Sequence, residues 1–490
     1  MRQIGCSRNW MIKNLTPDRT GVSAALPPPV KVGDIVEIAC TDLIAKTGQA
    51  VGRVGGLVVY VLGPAPGERA RVRVEDVKAK YAVAELVELI DRSPDRVEPF
   101  CPVFGTCGGC QVQHLAYPAQ LAWKRGVVEN ALRRLGGIAD ACVSVPIGMR
   151  YPRAYRNKMA LVVDGPESER RFGFYAARTH DVVPIEACPI VMPQLDRMLA
   201  GLWNAVRDPV TGQAFDGARH VIARAGQATD ESILSVTTER RSSTLPPLAA
   251  TLAQKLPETV GIANGFEPAS ENEVLGRKHA VVYGKPAMEE RIGGVIFRVS
   301  PASFFQVNSE MVAAIFSFME TAARKLSTVV DLYCGAGTFA LFFATRGARV
   351  VGIEENPHAV REAKTNAALN GAQTRTSFLN GRVETVLRSK AGTEALAASD
   401  VVFLDPPRKG SDEATLDALV RARAPHVWYL SCNPATLARD LVPLLRGGYR
   451  LGGVQPFDMF PQTGHIEALA LLHRADVPAL DVPLREEQTA

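Results

Sequence analysis

The sequence predicts an α/β protein whose C-terminal part is a doubly wound, mostly parallel sheet, with a small β-barrel nearer the N-terminus. Two patterns support this prediction. From about residue 301 onward, apolar strand-like runs alternate with helical runs, an order typical of parallel sheets covered by helices on both faces. Residues 31–92 instead contain short β-branched stretches separated by glycine turns, as small antiparallel barrels do.

The remaining regions complete the predicted organisation. Residues 93–300 mix a cysteine-rich segment, one clear helix and several strand-like runs, so we expect an α+β region there. Residues 1–30 are polar and end in a proline-rich run. We therefore predict a flexible tail at 1–30, a barrel at 31–92, a central α+β domain at 93–300, an α/β domain at 301–475 and a second tail at 476–490.

Length and composition exclude several classes of protein. The chain has 490 residues, of which 47% are hydrophobic and 22% charged, so disorder, collagen-like repeats and a small disulfide scaffold are excluded. Runs of ~18 uninterrupted apolar residues are lacking, and the polar N-terminal segment has no apolar centre like that of a signal peptide. We expect a cytoplasmic protein without a membrane partner.

The positions of the basic residues along the chain are more informative than the net charge. Lysine plus arginine exceeds aspartate plus glutamate by 56 − 51 = 5, too small an excess to predict nucleic-acid binding. The stretch from Trp123 to Met159, however, holds eight basic and two acidic side chains with three aromatic rings between them. This composition suits phosphate contacts and base stacking, although a solvated helix followed by a loop explains it equally well.

A glycine turn follows the first strand of the α/β region. The run DLYCGAGTF at 331–339 ends a strand, supplies two glycines for close backbone approach, and opens a helix. Glu354 closes the next strand, at the spacing expected of an acid that binds a ribose. The run looks more like an S-adenosylmethionine site than a nicotinamide site.

Two further strand ends carry reactive groups. Asp405 ends an apolar strand and is followed by two prolines and Arg408, whereas an amino-methyltransferase would favour an aromatic residue after the prolines. Cys432 ends another strand directly before a helix, where the helix dipole favours thiolate. Each motif also has an interpretation without a function. The prolines after Asp405 would then only end the strand, and Cys432 would be a buried structural cysteine.

Three of the nine cysteines are clustered in the run CPVFGTCGGC. Cys101, Cys107 and Cys110 are separated by five and two residues, and thiolates this close need a metal ion or an iron–sulfur cluster with a fourth ligand from elsewhere. Zinc is an open alternative, since tetrahedral thiolate sites also suit it. An odd cysteine count without a secretory signal argues against a disulfide framework.

These motifs together resemble one family. The chain is similar to the uracil-5 RNA methyltransferases, specifically to their iron–sulfur 23S ribosomal RNA branch, over roughly residues 31–475. The motifs in the family's order and spacing are SFFQVN (303–308), DLYCGAGTF (331–339), DPPRKG (405–410), SCNPATLARD (431–440) and FPQTGHIE (460–467). The resemblance implies a Rossmann-like S-adenosylmethionine-dependent methyltransferase domain, an OB-like TRAM barrel that binds RNA, and a central iron–sulfur domain.

The resemblance also implies the roles of individual residues. Cys432 would add to carbon 6 of uracil, so that carbon 5 can accept a methyl group, and Glu467 would then remove the proton from carbon 5. Thr338 stands where the family commonly has asparagine. The positions matching those that contact the cofactor are Gln306, Tyr333, Gly335, Thr338, Glu354 and Asp405.

The same resemblance places a [4Fe–4S] cluster on the clustered cysteines. Cys188, in the run EACP, matches the fourth ligand, and Cys142 is the competing residue. The reaction moves no electrons, so a structural or RNA-positioning role fits the cluster better than a redox role. Arg156, Asn157 and Lys158 also match a family segment and are expected either to hold RNA phosphates, to order the base pocket, or to form surface ion pairs.

The sequence thus predicts an enzyme that makes 5-methyluridine in RNA, with 23S ribosomal RNA as its expected partner and no obligate protein partner. A transfer RNA substrate is an alternative, although that branch generally lacks the cluster and the barrel. A non-catalytic iron–sulfur RNA-binding protein is a second alternative, and amino-methylation at the D-P-P motif is a third.

Overall fold

The structure, a computed structural model, describes residues 29–269 and 274–484. The predicted tail at 1–30 lies outside the described residues except for its last two positions, and so does the second tail from residue 485 onward. The described residues form three large sheets and one hairpin. Within them, every helix is too short or too polar to cross a membrane.

The N-terminal sheet has six strands in the order β1-β5-β6-β4-β3-β2. Burial alternates along β5, so that Ala70, Val72 and Val74 fill the core while its arginines point outward. Those exposed arginines pair with carboxylates on neighbouring strands, which neutralises part of the basic charge of this surface. The strands are β1 (Ile35–Ala39), β2 (Asp42–Leu43), β3 (Ala50–Val54), β4 (Leu57–Val61), β5 (Arg69–Val77) and β6 (Tyr81–Asp91).

The central sheet has seven strands in the order β13-β12-β11-β10-β7-β8-β9. One face packs against the helices α2 and α3 through a closed apolar core. The strands are β7 (Lys158–Asp164), β8 (Arg171–Tyr175), β9 (Val182–Pro184), β10 (Ala218–Ala225), β11 (Ser232–Thr238), β12 (Thr259–Phe266) and β13 (Lys278–Gly284), and the helices are α1 (Tyr117–Arg134), α2 (Pro193–Arg207) and α3 (Leu245–Lys255).

The third sheet follows the hairpin β14–β15 and has the order β18-β17-β16-β19-β20-β22-β21. Its first five strands are parallel, and β22 and β21 are antiparallel additions. The strands are β14 (Met288–Ile292), β15 (Val295–Val299), β16 (Thr328–Leu332), β17 (Arg349–Glu354), β18 (Thr376–Asn380), β19 (Val401–Leu404), β20 (His426–Ser431), β21 (Tyr449–Phe457) and β22 (Glu467–Arg474).

Helices cover both faces of this third sheet, as the alternating sequence pattern predicts. One apolar core includes α4 to α6, and the other includes α7 to α10 together with α1. The parallel strands are therefore buried on both sides, and all four residues of β19 are inaccessible to solvent. The helices are α4 (Ser309–Ala323), α5 (Thr338–Thr345), α6 (Pro357–Leu369), α7 (Val383–Val386), α8 (Lys390–Ala397), α9 (Glu413–Ala422) and α10 (Pro434–Arg446).

Two features differ from the predicted boundaries. Helix α1, assigned by the sequence to the central region, packs against α10 of the C-terminal part because its apolar side chains Val128 and Leu132 complete that core. Residues 476–484, assigned to a tail, lie along the third sheet. Leu480, Val482 and Leu484 supply the apolar contacts that hold this segment in place.

Candidate active site

Three reactive side chains meet at the carboxyl edge of the third sheet. Asp405 follows β19 and Cys432 follows β20. Glu467 begins β22, which runs antiparallel to β20 and therefore starts at the same edge. Ser431 pairs with Ala468 in the register of these strands, so the next positions, Cys432 and Glu467, are neighbours across the strand pair. The sheet topology thus explains why residues far apart in sequence come together.

The predicted glycine turn adopts the conformation that its sequence requires. Tyr333, Gly335 and Gly337 all have positive φ values, of 64°, 54° and 89°. The backbone N–H of Gly335 donates to Glu354 Oε2 over 3.1 Å, so the turn and the end of β17 are joined. Thr338 is the first residue of α5 and is buried. The side chain of Tyr333 lies toward Ser411 and Thr415 rather than toward Glu354.

A fourth carboxylate at this edge was not singled out by the sequence analysis. Asp331 is fully buried at the end of β16, and neither of its oxygens has a hydrogen-bond partner at normal distance. Burial, with Asp405 and Glu354 nearby, raises the pKa of Asp331 well above its usual value. An acid within an otherwise apolar strand, just before the glycine turn, is the sequence signal that could have identified it.

The residues at this edge fit S-adenosylmethionine. The molecule carries a sulfonium, an ammonium and a ribose diol, and Asp331, Glu354 and Asp405 offer carboxylates for such groups. The amide of Gln306 donates to Asp405 Oδ2 over 3.2 Å, which brings the segment 303–308 to the same place. Burial raises the pKa of Asp405 to about 7. A cation bound here would stabilise the ionised forms of these acids.

The electrostatics around Cys432 oppose the thiolate that the sequence predicts. The pKa of the Cys432 thiol is raised to about 12, because burial, Glu467 and Asp405 outweigh the nearby Arg408. Burial and Asp405 likewise raise the pKa of Glu467 well above its usual value, although Arg408 opposes the shift.

The loop 458–464, which leads into Glu467, is held by polar contacts that the sequence gave no reason to expect. Gln120 on α1 exchanges two hydrogen bonds with Gln462, of 3.0 and 3.1 Å. The ammonium of Lys124, also on α1, donates to Asp458 over 2.6 Å, and both side chains are fully buried. Helix α1 therefore fixes the loop that precedes the proposed base.

The cysteine segment and the barrel hold the same loop from the other side. The backbone N–H groups of Gln111 and Val112 both donate to the carbonyl of Gln462 over 3.1 Å. At Gly464 a Cβ atom would lie only 1.8 Å from the carbonyl oxygen of Ala45 in the barrel, so no larger residue fits. Three parts of the chain thus converge on the loop beside the reactive groups.

A cavity of about 990 Å³ lies between the loop 458–464, the barrel and the clustered cysteines. Arg408, Phe460 and His465 line one end, and the barrel contributes Lys46. The rings of Phe460 and His465 meet edge to face, with centroids 5.8 Å apart. Burial and three nearby cations lower the pKa of His465 to about 4, so the imidazole is neutral at physiological pH.

All four predicted cysteine ligands line this cavity, and we call them the cysteine pocket: Cys101, Cys107, Cys110 and Cys188. The competing residue, Cys142, is exposed and is not among the residues lining the cavity. Burial raises the pKa of Cys107, Cys110 and Cys188, and the neighbouring thiols add to the shift. Among residues 29–269 and 274–484, no group of three or more His, Cys, Asp or Glu side chains is arranged to hold a metal ion. The predicted cysteines are together, but a metal site is not shown.

The segment 156–158 contacts the segment that carries Gln306. Asn157 donates through its side-chain amide to the Gln306 carbonyl and to Ser309 Oγ, both over 3.1 Å. Its backbone N–H donates to the Val307 carbonyl over 2.9 Å. Asn157 therefore orders the segment that carries Gln306, whereas Arg156 lines the cavity.

Comparisons with known proteins agree with this arrangement. Residues 287–475 match the family described as tRNA (Uracil-5-)-methyltransferase, and residues 29–87 match the TRAM domain. An uncharacterised RNA methyltransferase of Bacillus cereus is 37% identical over 471 residues, covering 93% of this chain and all of the relative. Another, of Halalkalibacterium halodurans, is 38% identical over 455 residues, covering 91% of this chain and 98% of the relative.

A solved structure extends the likeness to three dimensions. The tRNA (uracil-54, C5)-methyltransferase of Pyrococcus abyssi, in complex with S-adenosyl-L-homocysteine, matches with a TM-score of 0.69 and 25% identity, covering 89% of this chain and 100% of the other.

The doubly wound sheet, the acid-lined glycine turn and these matches define an S-adenosylmethionine-dependent RNA methyltransferase. More particularly, the chain belongs to the RNA uracil-5 methyltransferase family and carries a TRAM domain before its catalytic part.

Proposed function

We propose that this enzyme methylates carbon 5 of a specific uridine in 23S ribosomal RNA through a covalent adduct between Cys432 and carbon 6 of the base. The observation that carries this proposal is the pairing of Cys432 with Glu467 across β20 and β22, beside Asp405 at the cofactor edge. A thiol and a carboxylic acid on either side of one base are the two groups that the reaction needs.

Cys432 is the nucleophile. Its sulfur bonds to carbon 6 of uracil, and the electrons of the carbon 5–carbon 6 double bond move toward the carbonyl at carbon 4, which makes carbon 5 nucleophilic. Bound S-adenosylmethionine supplies an electrophilic methyl group to that carbon. Arg408 is the cation near Cys432, and its charge favours the thiolate that attacks.

Glu467 is the general base. After methyl transfer it takes the proton from carbon 5, the double bond forms again, and the bond from Cys432 to carbon 6 breaks. One oxygen of Glu467, Oε2, is buried and has no hydrogen-bond partner, so it is available to accept that proton. Because its pKa is raised, Glu467 must first be ionised, which the nearby Arg408 favours.

Seven residues would hold the cofactor. Gln306, Asp405 and Asp331 would face its cationic groups, and Glu354 would bind the ribose. The backbone of the turn at Tyr333 and Gly335 lets the ligand approach closely, and Thr338 begins the helix beside it. Of these, Asp331 is added to the residues predicted from the sequence, whereas the side chain of Tyr333 points elsewhere and contributes its backbone.

The cysteine pocket holds a [4Fe–4S] cluster. The four thiols of the pocket line one cavity, so all four would be available as ligands of one cluster. The cluster would order residues 101–112 and, through Gln111 and Val112, the loop before Glu467.

The choice of 23S ribosomal RNA rests on the resemblance of the cysteine and barrel motifs. A transfer RNA substrate is the second candidate, because the Pyrococcus abyssi enzyme acts on tRNA and matches 89% of this chain. Domain composition therefore does not separate the two substrates. We also propose that the enzyme lies in the cytoplasm and has no obligate protein partner. Its proposed domains are the barrel at 31–92, the central domain at 93–300 and the methyltransferase domain at 301–475.

Mapping 5-methyluridine in cells with and without this protein tests the proposal. We expect one or a few positions in 23S ribosomal RNA to lose the modification when the protein is absent. Loss confined to transfer RNA would assign the second substrate instead. Unchanged 5-methyluridine in both classes of RNA would contradict the proposed function.

A further inference from the structure

The loop 408–411, which follows the D-P-P motif, is held along its backbone by side chains at the start of helix α10. Asn433, directly before the helix, donates through Nδ2 to the carbonyl of Arg408 over 2.9 Å. Arg439 donates through Nη2 to the carbonyl of Lys409, also over 2.9 Å. Two successive carbonyls of the loop are therefore fixed by side chains of one helix.

Asp440, the next residue of α10, holds the end of the same loop. Its Oδ2 atom accepts from the backbone N–H of Ser411 over 2.8 Å and from the hydroxyl of Tyr429 over 2.6 Å. Its Oδ1 atom accepts from Nε of Arg439 over 2.7 Å. Asp440 is 1% exposed, and these three donors satisfy a carboxylate that would otherwise be costly to bury.

The close approach of the loop to the helix requires glycine at position 410. Gly410 has a φ of 80°, in the region that side chains other than glycine rarely adopt. A Cβ atom at this position would also collide with the carboxylate of Asp440 and the guanidinium of Arg439. The loop therefore lies directly on these two side chains.

The loop carries the cation that acts on the proposed nucleophile. Burial, Glu467 and Asp405 raise the pKa of the Cys432 thiol, and Arg408 is the charged group that lowers it. Arg408 is exposed, and within the described part of the chain its guanidinium has neither a hydrogen bond nor an ion pair. Because no side-chain contact holds this guanidinium, its position depends on the backbone of the loop.

We propose that Arg439 and Asp440 are positioning residues, which hold the loop 408–411 on helix α10 so that the guanidinium of Arg408 stays beside Cys432. Both residues act through Arg408 rather than on the substrate. The proposal rests on the proposed function, because it takes Cys432 as the attacking group. Its test measures the reactivity of the thiol without RNA or cofactor, so the result does not depend on which atom of the base is methylated.

Alkylation of Cys432 by iodoacetamide tests the proposal, because the thiolate is the form that reacts. The rate is followed between about pH 7 and 9 by mass spectrometry of the peptide that contains Cys432, which separates it from the other cysteines. Arg408→Met removes the charge itself and should slow alkylation by about threefold to tenfold at each pH. Arg439→Met and Asp440→Asn should each slow it by about twofold to fivefold, because the charge remains but is held less firmly.

Two further variants show whether the effect is specific to the contacts of Arg439. Arg439→Lys keeps a cation that can donate to the Lys409 carbonyl and pair with Asp440, so it should restore most of the alkylation rate. Arg446→Met is the matched control, since Arg446 is exposed in the last turn of the same helix. It should leave the alkylation rate of Cys432 unchanged.

A double-mutant cycle distinguishes positioning of the charge from a general loosening of the site. In the Arg408→Met background, Arg439→Met should have no further effect, because the charge that it positions is already absent. The same slowing in both backgrounds would overturn the proposal, since Arg439 would then act independently of Arg408. Unchanged alkylation in Arg439→Met would overturn it as well. This variant decides the matter even if Asp440→Asn fails to fold, because the side chain of Arg439 is 57% exposed.

Discussion

Cys432 and the cysteine pocket are the two places where the sequence predicts a functional thiol, and they differ in what surrounds each sulfur. Cys432 stands alone among two carboxylic acids and one guanidinium. In the cysteine pocket, Cys110 and Cys188 have chiefly other thiols as their charged neighbours. Burial raises the pKa of the thiol in both regions, so burial by itself does not tell a nucleophile from a ligand.

The difference in neighbours separates the two roles. A single thiol next to a general base can attack a substrate and be released again, because a proton acceptor is at hand. Four thiols around a shared space repel one another when ionised and are stabilised together only by bound metal. We therefore expect substitutions in the first region to stop individual chemical steps, and substitutions in the second to change metal content first.

Cys432→Ala should have the largest effect. Turnover should fall by about 10⁴-fold or more, because no other group at the site can add to carbon 6. Affinity for S-adenosylhomocysteine should stay close to that of the unchanged protein, since the sulfur acts on the base. Cys142→Ala, at an exposed cysteine, should retain full turnover in the same assay with labelled cofactor. Near-normal methylation by Cys432→Ala would remove it from the mechanism.

Glu467→Gln should lower turnover by about 10²–10⁴-fold, the usual contribution of a general base. Addition and methyl transfer precede the step that needs Glu467, so a covalent RNA–protein species should accumulate and persist on denaturing gels. The Cys432→Ala variant should form none. If Glu467→Gln released methylated RNA at the normal rate, another group would have to be the base.

The sheet and the reactive residues could be predicted because short sequence patterns encode them. Apolar runs followed by the turn residues DLYCGAG, DPP and SCNP predict where three strands end. In a parallel sheet, the carboxyl ends of such strands lie at one edge. The confirmed features are thus those in which local sequence and topology agree, namely the methyltransferase fold and the strands of the TRAM domain.

The remaining features depend on contacts between distant residues. No sequence pattern predicts the hydrogen bonds of Gln120 with Gln462 or of Lys124 with Asp458, because the residues of each pair are more than 300 positions apart. The raised pKa of Cys432 could not be predicted for the same reason. The helix that follows it is visible in the sequence, whereas the burial and the two carboxylates that oppose it come from other strands.

The raised pKa of Cys432 predicts a strong dependence on pH. The attacking form is the thiolate, so the active form becomes more populated as pH rises toward the raised pKa. Adduct formation with RNA containing 5-fluorouridine should accelerate about tenfold per unit between about pH 6.5 and 9. A flat profile would mean that the thiolate exists in the free enzyme after all.

In the cysteine pocket, Cys188→Ser should first change metal content. Protein purified without oxygen should contain about four irons per chain, and this variant should lose most of them. Cys142→Ser should keep its iron, because Cys142 is exposed and is not among the residues lining the pocket. Turnover of Cys188→Ser should fall less than that of Glu467→Gln. Stoichiometric zinc in the unchanged protein would contradict the cluster, and iron loss in Cys142→Ser alone would reassign the fourth ligand.

The smallest expected effect tests whether the two thiol regions communicate through the loop 458–464. Gln120→Leu removes both hydrogen bonds to Gln462 and leaves buried amide groups without partners, at a cost of about 1–3 kcal/mol per group. The loop should loosen before Glu467, so resolution of the covalent adduct should slow several-fold while its formation and the iron content stay nearly constant. Gln213→Leu, at an exposed glutamine on the central domain, should alter none of these rates. Equal slowing of formation and resolution would show that α1 supports the whole site, whereas loss of iron in Gln120→Leu would place the coupling in the cysteine pocket itself.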